Sequence, residues 1–295
     1  MKSNTWTKKA FSLISLLIIV LAIWYLVALV MNSNQLINNL ERKKQEWSYL
    51  QVFSQAYEVK RPMLPAPHQV AQELSRSILD KPITSKRSLI YHAQITLNST
   101  LLGFVFGSIL GILIAIGIVH NKTLEASLMP WVIASQTIPI LAIAPIIVVV
   151  LGAINITGVV PKAIISMYLS FFPVTIAMVK GLRSSDRLLE ELMHTYSATS
   201  KEIFWKLRWY SAQPYLFASL KVAIAVALVG AIVAELPTGA QGGLGSRLLS
   251  GSYYGQTEQI WVALIVATTL GSLLVWLVGL AENALLRRRG ESTNA

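Results

Sequence analysis

The side chains that could do chemistry concentrate in one stretch, Glu191–Pro214, ELMHTYSATSKEIFWKLRWYSAQP, set between two apolar runs. It carries Glu191, His194, Lys201, Glu202, Lys206 and Arg208. Its spacing predicts two short helices and a turn. Glu190 and Glu191 fall in the first turn of the first helix, where the helix dipole favours acids. Ser197-Ala198-Thr199-Ser200 breaks the periodicity with small and hydroxyl residues. Ser200 or Thr199 can then N-cap the second helix, with Glu202 in its first turn. Ile203, Phe204 and Leu207 give that helix an apolar face, and Pro214 suits the first turn of the helix that follows. This is ionic, surface-forming chemistry rather than catalysis. The other histidines, His68, His92 and His120, are scattered outside the centres of the apolar runs. The chain has no Cys, which removes thiol catalysis, disulfides and Cys-based metal sites. Gly239–Ser246 is glycine-rich but lacks the Gly-Lys-Ser/Thr ending of a phosphate-binding loop.

The elements that must position this stretch are membrane helices. Only 13% of the 295 residues are charged and 54% are hydrophobic, with mean hydropathy +0.57; an average soluble domain carries about 25% charged residues. The net charge of +11 does not indicate nucleic acid, because the bases lie between and beside apolar runs, as the positive-inside rule expects. The chain is expected to be an all-α polytopic membrane protein of about six spans, embedded in a lipid bilayer with both termini cytoplasmic.

The first span, Phe11–Met31, is too long for a signal peptide and is followed by Asn32-Ser33-Asn34, so it is expected to remain uncleaved. Lys2, Lys8 and Lys9 place its start inside. Residues 32–95 form a polar extracytoplasmic or interfacial segment. Residues 96–286 form a five-helix core with a loop at 181–214, and 287–295 form a cytoplasmic tail holding Arg287-Arg288-Arg289. In the second span, Leu97–Val119, Gly103, Gly107 and Gly111 make a smooth face for close packing. The third, Leu128–Leu151, is interrupted by Pro130, Pro139 and Pro145, with Gln136 and Thr137 beside Pro139. Freed carbonyls at membrane depth must face protein or a water-filled cavity, so Gln136, Thr137 and Pro139 line a path or mark a kink satisfied by a neighbour. Spans at Val160–Val179, Tyr215–Leu236 and Ile260–Leu280 complete the set. Glu235, at the end of the fifth, is a path or gate residue or an interfacial carboxylate meeting water.

Glu191, Ala198, Phe204 and Pro214 stand in the order of the Glu-Ala-Ala cytoplasmic loop of ABC importer permeases, which the chain resembles. The lead-in Leu64-Pro65-Ala66-Pro67-His68-Gln69-Val70 and the pairing of Glu235 with Gly243-Leu244-Gly245 resemble the nitrate/sulfonate/taurine-type permeases. The resemblance covers about Leu64 to Leu286. Departures are Leu192 and Met193 for the two alanines, Trp209-Tyr210 for Leu-Pro, and Ser197 for the turn glycine. A residue other than Gly at φ > 0 costs about 1 kcal/mol. The resemblance implies a type I importer permease fold in the bacterial inner membrane and a homodimer, served by cytoplasmic ATPase subunits and an extracytoplasmic substrate-binding protein. It also implies that Glu191, Ser197, Ala198, Phe204 and Pro214 couple to the ATPase. No cofactor is expected in this chain, since ATP and Mg would sit on the partner, and no enzymatic activity is expected. The cargo implied is a small polar nutrient, an organic anion or a heterocycle. An ATP-independent secondary transporter or channel is the alternative, predicting ionisable residues at mid-span and inverted repeats.

Overall fold

The computed structural model describes residues 3–59, 61–237 and 242–288, with the side chains of 3–7, 9, 10, 286 and 288 excepted. Lys2, Lys60, Thr238-Gly239 and Arg289, and the side chains of Lys9 and Arg288, lie outside the described residues. All regular structure among the described residues is helical. The order is α1 Ser3–Arg42, α2 Tyr49–Gln55, α3 Pro67–Leu79, α4 Leu89–His120, α5 Lys122–Ala134, α6 Ile140–Ala153, α7 Val159–Leu182, α8 Arg187–Thr195, α9 Ser200–Ile203, a π turn Phe204–Arg208, α10 Trp209–Glu235, α11 Leu244–Tyr253 and α12 Thr257–Arg288. Contacts divide the chain into two compact units, residues 1–90 with 247–265, and residues 91–246 with 266–295.

In the first unit α1 continues well past its apolar run. Asn32, fully buried, both donates to and accepts from the Leu64 backbone, and Trp24 Nε1 donates to the Pro65 carbonyl. The proline-rich lead-in therefore lies against α1. Pro67 then starts α3 at a position where its missing N–H costs nothing. Val70 is buried, and Leu74 and Ile78 are half-buried on the same face.

In the second unit α7 is the central helix. Gly103, Gly107 and Gly111 of α4 pack against its backbone at Ala163, Met167 and Phe171. The glycine spacing is thus a packing device, as the sequence suggests, and Ser170 Oγ donates across the contact to the Gly103 carbonyl at 3.2 Å. Gly230 of α10 approaches α7 in the same way at Ser166.

Among the described residues, five helices are long and apolar enough to cross a membrane: Phe11–Arg42, Leu89–His120, Val159–Leu182, Ser200–Glu235 and Thr257–Leu285. The predicted single span Leu128–Leu151 is divided into α5 and α6. Pro139 has no N–H to continue the ladder and stands as the N-cap of α6. The carbonyls freed at the break are taken locally. Ser135 Oγ bonds the Val132 carbonyl, Thr137 Oγ1 that of Ala134, and Tyr168 OH of α7 that of Ser135 at 2.5 Å. At 14 residues α6 is about 21 Å long, less than a hydrocarbon core of about 30 Å. Lys221 does not stand alone near the membrane face: it pairs with Glu282 of α12.

Candidate functional site

Residues 183–208 build a surface loop fastened at every turn. Asp186 caps α8 by accepting from the Leu188 N–H at 2.9 Å. Glu190 then lies in the first turn; Glu191, expected there too, falls one position beyond it because the helix starts at Arg187. Glu191 is exposed and accepts from Arg187 Nε at 3.1 Å.

The end of α8 resolves the role of Ser197. Its φ is +57°, the left-handed conformation that the turn glycine of the resembled loop would supply. The Ser197 N–H donates to the His194 carbonyl at 2.9 Å and the Ala198 N–H to that of Met193 at 3.0 Å. These are the two bonds of a Schellman cap. Serine thus takes the glycine geometry, at a cost of about 1 kcal/mol. Thr199, rather than Ser200, caps α9: its Oγ1 accepts from the Glu202 N–H while Glu202 accepts from the Thr199 N–H at 3.0 Å.

From that cap the chain turns inward. Ile203 and Phe204 are buried. Phe204 joins the core formed with Ala115, Ile118, Val174, Met178, Leu182 and Ala212, and its ring lies 5.0 Å from that of His120. The predicted position of Pro214 is corrected. Helical structure already runs from Ser200 through the π turn, so Pro214 lies inside α10 rather than in its first turn. The capped α9 and the buried Phe204 fix where the helix begins, and a single lost hydrogen bond at a proline does not move it.

One fastening was invisible in sequence. Glu190 accepts two bonds from Arg208, at 2.9 and 3.0 Å, and a third from Ser185. The Arg208 guanidinium, helped by Ser185, holds the Glu190 carboxyl below its usual range. The partners are 18 positions apart, so no helical spacing announces them. Glu125 and Arg183 make a second bidentate pair at 2.9 and 2.7 Å, tying the start of α5 to the end of α7. With the loop held from within, α8 buries none of its residues. Leu188, Leu192 and Tyr196, spaced i, i+4, i+8 on one helical face, are 71, 49 and 79% exposed.

The candidate pathway residues occupy two different settings. Gln136, Thr137 and Pro139 are exposed at the α5–α6 break. Glu235 meets no water: it is fully buried, accepting from Thr96 Oγ1 at 2.8 Å and from the Gly245 N–H at 2.9 Å. The interfacial reading of Glu235 is therefore corrected. It is enclosed because Gly243-Leu244-Gly245 folds back over the end of α10. A β-carbon at Gly243 would fall on the Glu235 carboxyl group. Lys162, in the first turn of α7, is likewise buried.

Comparison with known proteins places this architecture. Residues 107–290 match the family described as binding-protein-dependent transport system inner membrane component. The formylaminopyrimidine transport permease protein ThiX of Halalkalibacterium halodurans is 32% identical over 227 residues, covering 76% of this chain and 85% of that protein. The riboflavin transport system permease protein RibX of Chloroflexus aurantiacus is 30% identical, covering 76% and 80%. The putative aliphatic sulfonates transport permease protein SsuC of Bacillus subtilis is 27% identical, covering 78% and 80%. The inward-facing MetNI methionine ABC transporter shares the fold, with TM-score 0.53 at 19% identity over 68% of this chain and 95% of that one. The helical bundle, its capped loop and these likenesses agree: the chain belongs to the binding-protein-dependent transport system inner membrane components, as a multi-pass permease subunit of an ABC importer.

Proposed function

We propose that this chain forms a homodimer that carries a small nitrogen heterocycle across the inner membrane, driven by cytoplasmic ATPase subunits that dock on α8 and α9. The observation that carries the docking is the exposed stripe formed by Leu188 and Leu192 of α8 and its C-cap Tyr196, held from behind by Glu190–Arg208 and Phe204. A rigidly mounted apolar helix face laid into a groove is a general recognition mode. Closure of the ATPases would push on this face, and Phe204 would pass the movement to α4, α7 and α10. On this reading both termini are cytoplasmic, an extracytoplasmic binding protein delivers the cargo, and ATP and Mg stay on the partner. Gln136, Thr137 and Pro139 belong to the pathway.

The cargo class is supported by two relatives at 30% identity or above, whose names give formylaminopyrimidine and riboflavin transport. The relatives named for sulfonates and nitrate are 27% and 25% identical. Reconstitution with the co-encoded ATPase and binding protein tests it. ATP-dependent uptake of a labelled aminopyrimidine, unaffected by excess nitrate or alkyl sulfonate, is expected. Uptake of nitrate or sulfonate alone would overturn the cargo assignment.

A further inference from the structure

Four consecutive residues at the start of α11 are each held by a buried side chain. The Gly242 carbonyl accepts from Lys162 Nζ of α7 at 2.8 Å. The Gly243 N–H donates to His92 Nδ1 of α4, the Leu244 N–H to Thr96 Oγ1 of α4, and the Gly245 N–H to Glu235 of α10, all at 2.9 Å. Thr96 also donates to the Glu235 carboxylate, at 2.8 Å. Lys162, Thr96 and Glu235 are essentially inaccessible and His92 is 6% exposed. Gly242 and Gly243 take φ of +78° and +121°, so the backbone bends to reach these partners.

Three helices thus converge on one short segment, and the arrangement is demanding. Buried polar groups are costly unless each finds its partner, so loss of one bond weakens the others. His92 is the member whose bond depends on its protonation. To accept from the Gly243 N–H, Nδ1 must carry no proton, which puts the imidazole proton on Nε2. A proton on Nδ1 would set two N–H groups against each other.

We propose that His92, Thr96, Lys162 and Glu235 are positioning residues that latch Gly242–Gly245 to the bundle, and that acid opens this latch by protonating His92. Titratable groups of this unit share the segment with the imidazole. Tyr91, on the same helix, has its ring edge-on at 5.5 Å. Glu235 of α10 and Lys162 of α7 hold the two ends of the same segment. Glu235 and Lys162 oppose each other in charge, and the Glu235 carboxylate, which also accepts from the segment, is a second group that acid reaches, so the His92→Asn profile is what separates the two. If the importer reading holds, the latch sets where α11 starts during the transport cycle. The latch itself requires no ATPase.

The absence of cysteine makes a direct test possible on the full chain in lipid nanodiscs. Ser246→Cys places a reporter at a site 4% exposed, and Ser252→Cys gives an exposed control. The labelling rate of the first relative to the second by a membrane-impermeant thiol reagent reads opening. The ratio is expected to rise about fivefold or more between about pH 8 and about pH 5.5, the interval in which imidazole titrates. With His92→Asn, which keeps an acceptor near the Nδ1 position but does not titrate, it should stay low and flat. Tyr91→Phe should retain the rise, and Lys162→Met should give a high ratio at both ends. A flat ratio in the His92 chain, or an equal rise in His92→Asn, would overturn the acid-opened latch. A low ratio in Lys162→Met would remove Lys162 from it. A purely structural His92 would shift the level and not the pH slope. Should His92→Asn fail to fold, His92→Gln, which also offers an acceptor and does not titrate, takes its place, with the same flat profile expected and the same overturning result. Because no nucleotide is involved, failure here leaves the importer reading standing, and the reverse also holds.

Discussion

Phe204→Ala is expected to cut ATP-driven uptake severely while leaving the chain in the membrane. Phe204 is 7% exposed and packs in a core drawn from α4, α7 and α10, although it belongs to the surface loop. Truncating a buried phenylalanine costs about 3–5 kcal/mol. Most of that loss falls where the loop is mounted, because the spans are held by their own glycine contacts. Since each 1.4 kcal/mol is about tenfold, a loss of about 3 kcal/mol would release the loop from its mounting in a large fraction of molecules. Uptake should fall at least about tenfold, and limited proteolysis should cut between α8 and the π turn faster. Phe204→Leu, which keeps much of the apolar volume, should retain most uptake. Normal uptake by Phe204→Ala would mean that movement of the loop does not pass through this side chain.

Gly107→Val is expected to prevent assembly of the bundle itself. A β-carbon at Gly107 meets the Met167 carbonyl at 2.9 Å and overlaps the Ser170 hydroxyl, and further branches would drive α4 off α7. The Met167 carbonyl is backbone in the central helix, so it cannot give way as a flexible side chain could. Overpacking typically costs about 1–3 kcal/mol, and more where backbones must part. Fluorescence-detected size exclusion should show the variant as aggregate, or unfolding many degrees earlier than the parent. Gly152→Ala is the matched control: nothing lies within 4 Å of the place its methyl group would take, so it should behave as the parent does. A monodisperse, heat-stable Gly107→Val would show that α4 and α7 are not in contact at this level.

What sequence reveals here follows the range of the interaction. Apolar length located the spans, and the glycine spacing in α4 pointed to its packing face. Local capping chemistry was legible too, because Thr199 and Glu202 lie three residues apart and Ser197 sits where a helix end needs φ > 0. The break at Ser135–Pro139 was signalled by its proline, but proline alone does not say whether a helix kinks or divides. Tyr168 of α7, which takes up the freed Ser135 carbonyl, is 33 positions away. Pro214 misled for a related reason: proline favours a first turn, yet the start of this helix is fixed upstream by Thr199 and Phe204. The Glu235 cluster was least visible. Its members at 92, 96, 162 and 242–245 come from three helices and a backbone segment, and a backbone N–H leaves no mark in sequence. Motif order singled out Glu191, whereas the three-dimensional arrangement shows Glu190 fastening the loop and Glu191 facing outward.

On the proposed function, the ATPase docks on the outward face of α8. The most direct measurement is site-specific photocrosslinking in membranes that contain the native partners. A photoreactive residue is placed in turn at Leu188, Leu192 and Tyr196, and at Tyr49 of α2 as a control that is also exposed. Leu188 and Leu192 of α8 and its C-cap Tyr196 are all expected to crosslink to the ATPase subunit, identified by mass, and Tyr49 is not. ATPase captured from Tyr49, or capture from none of the α8 positions in a complex that still hydrolyses ATP, would contradict it.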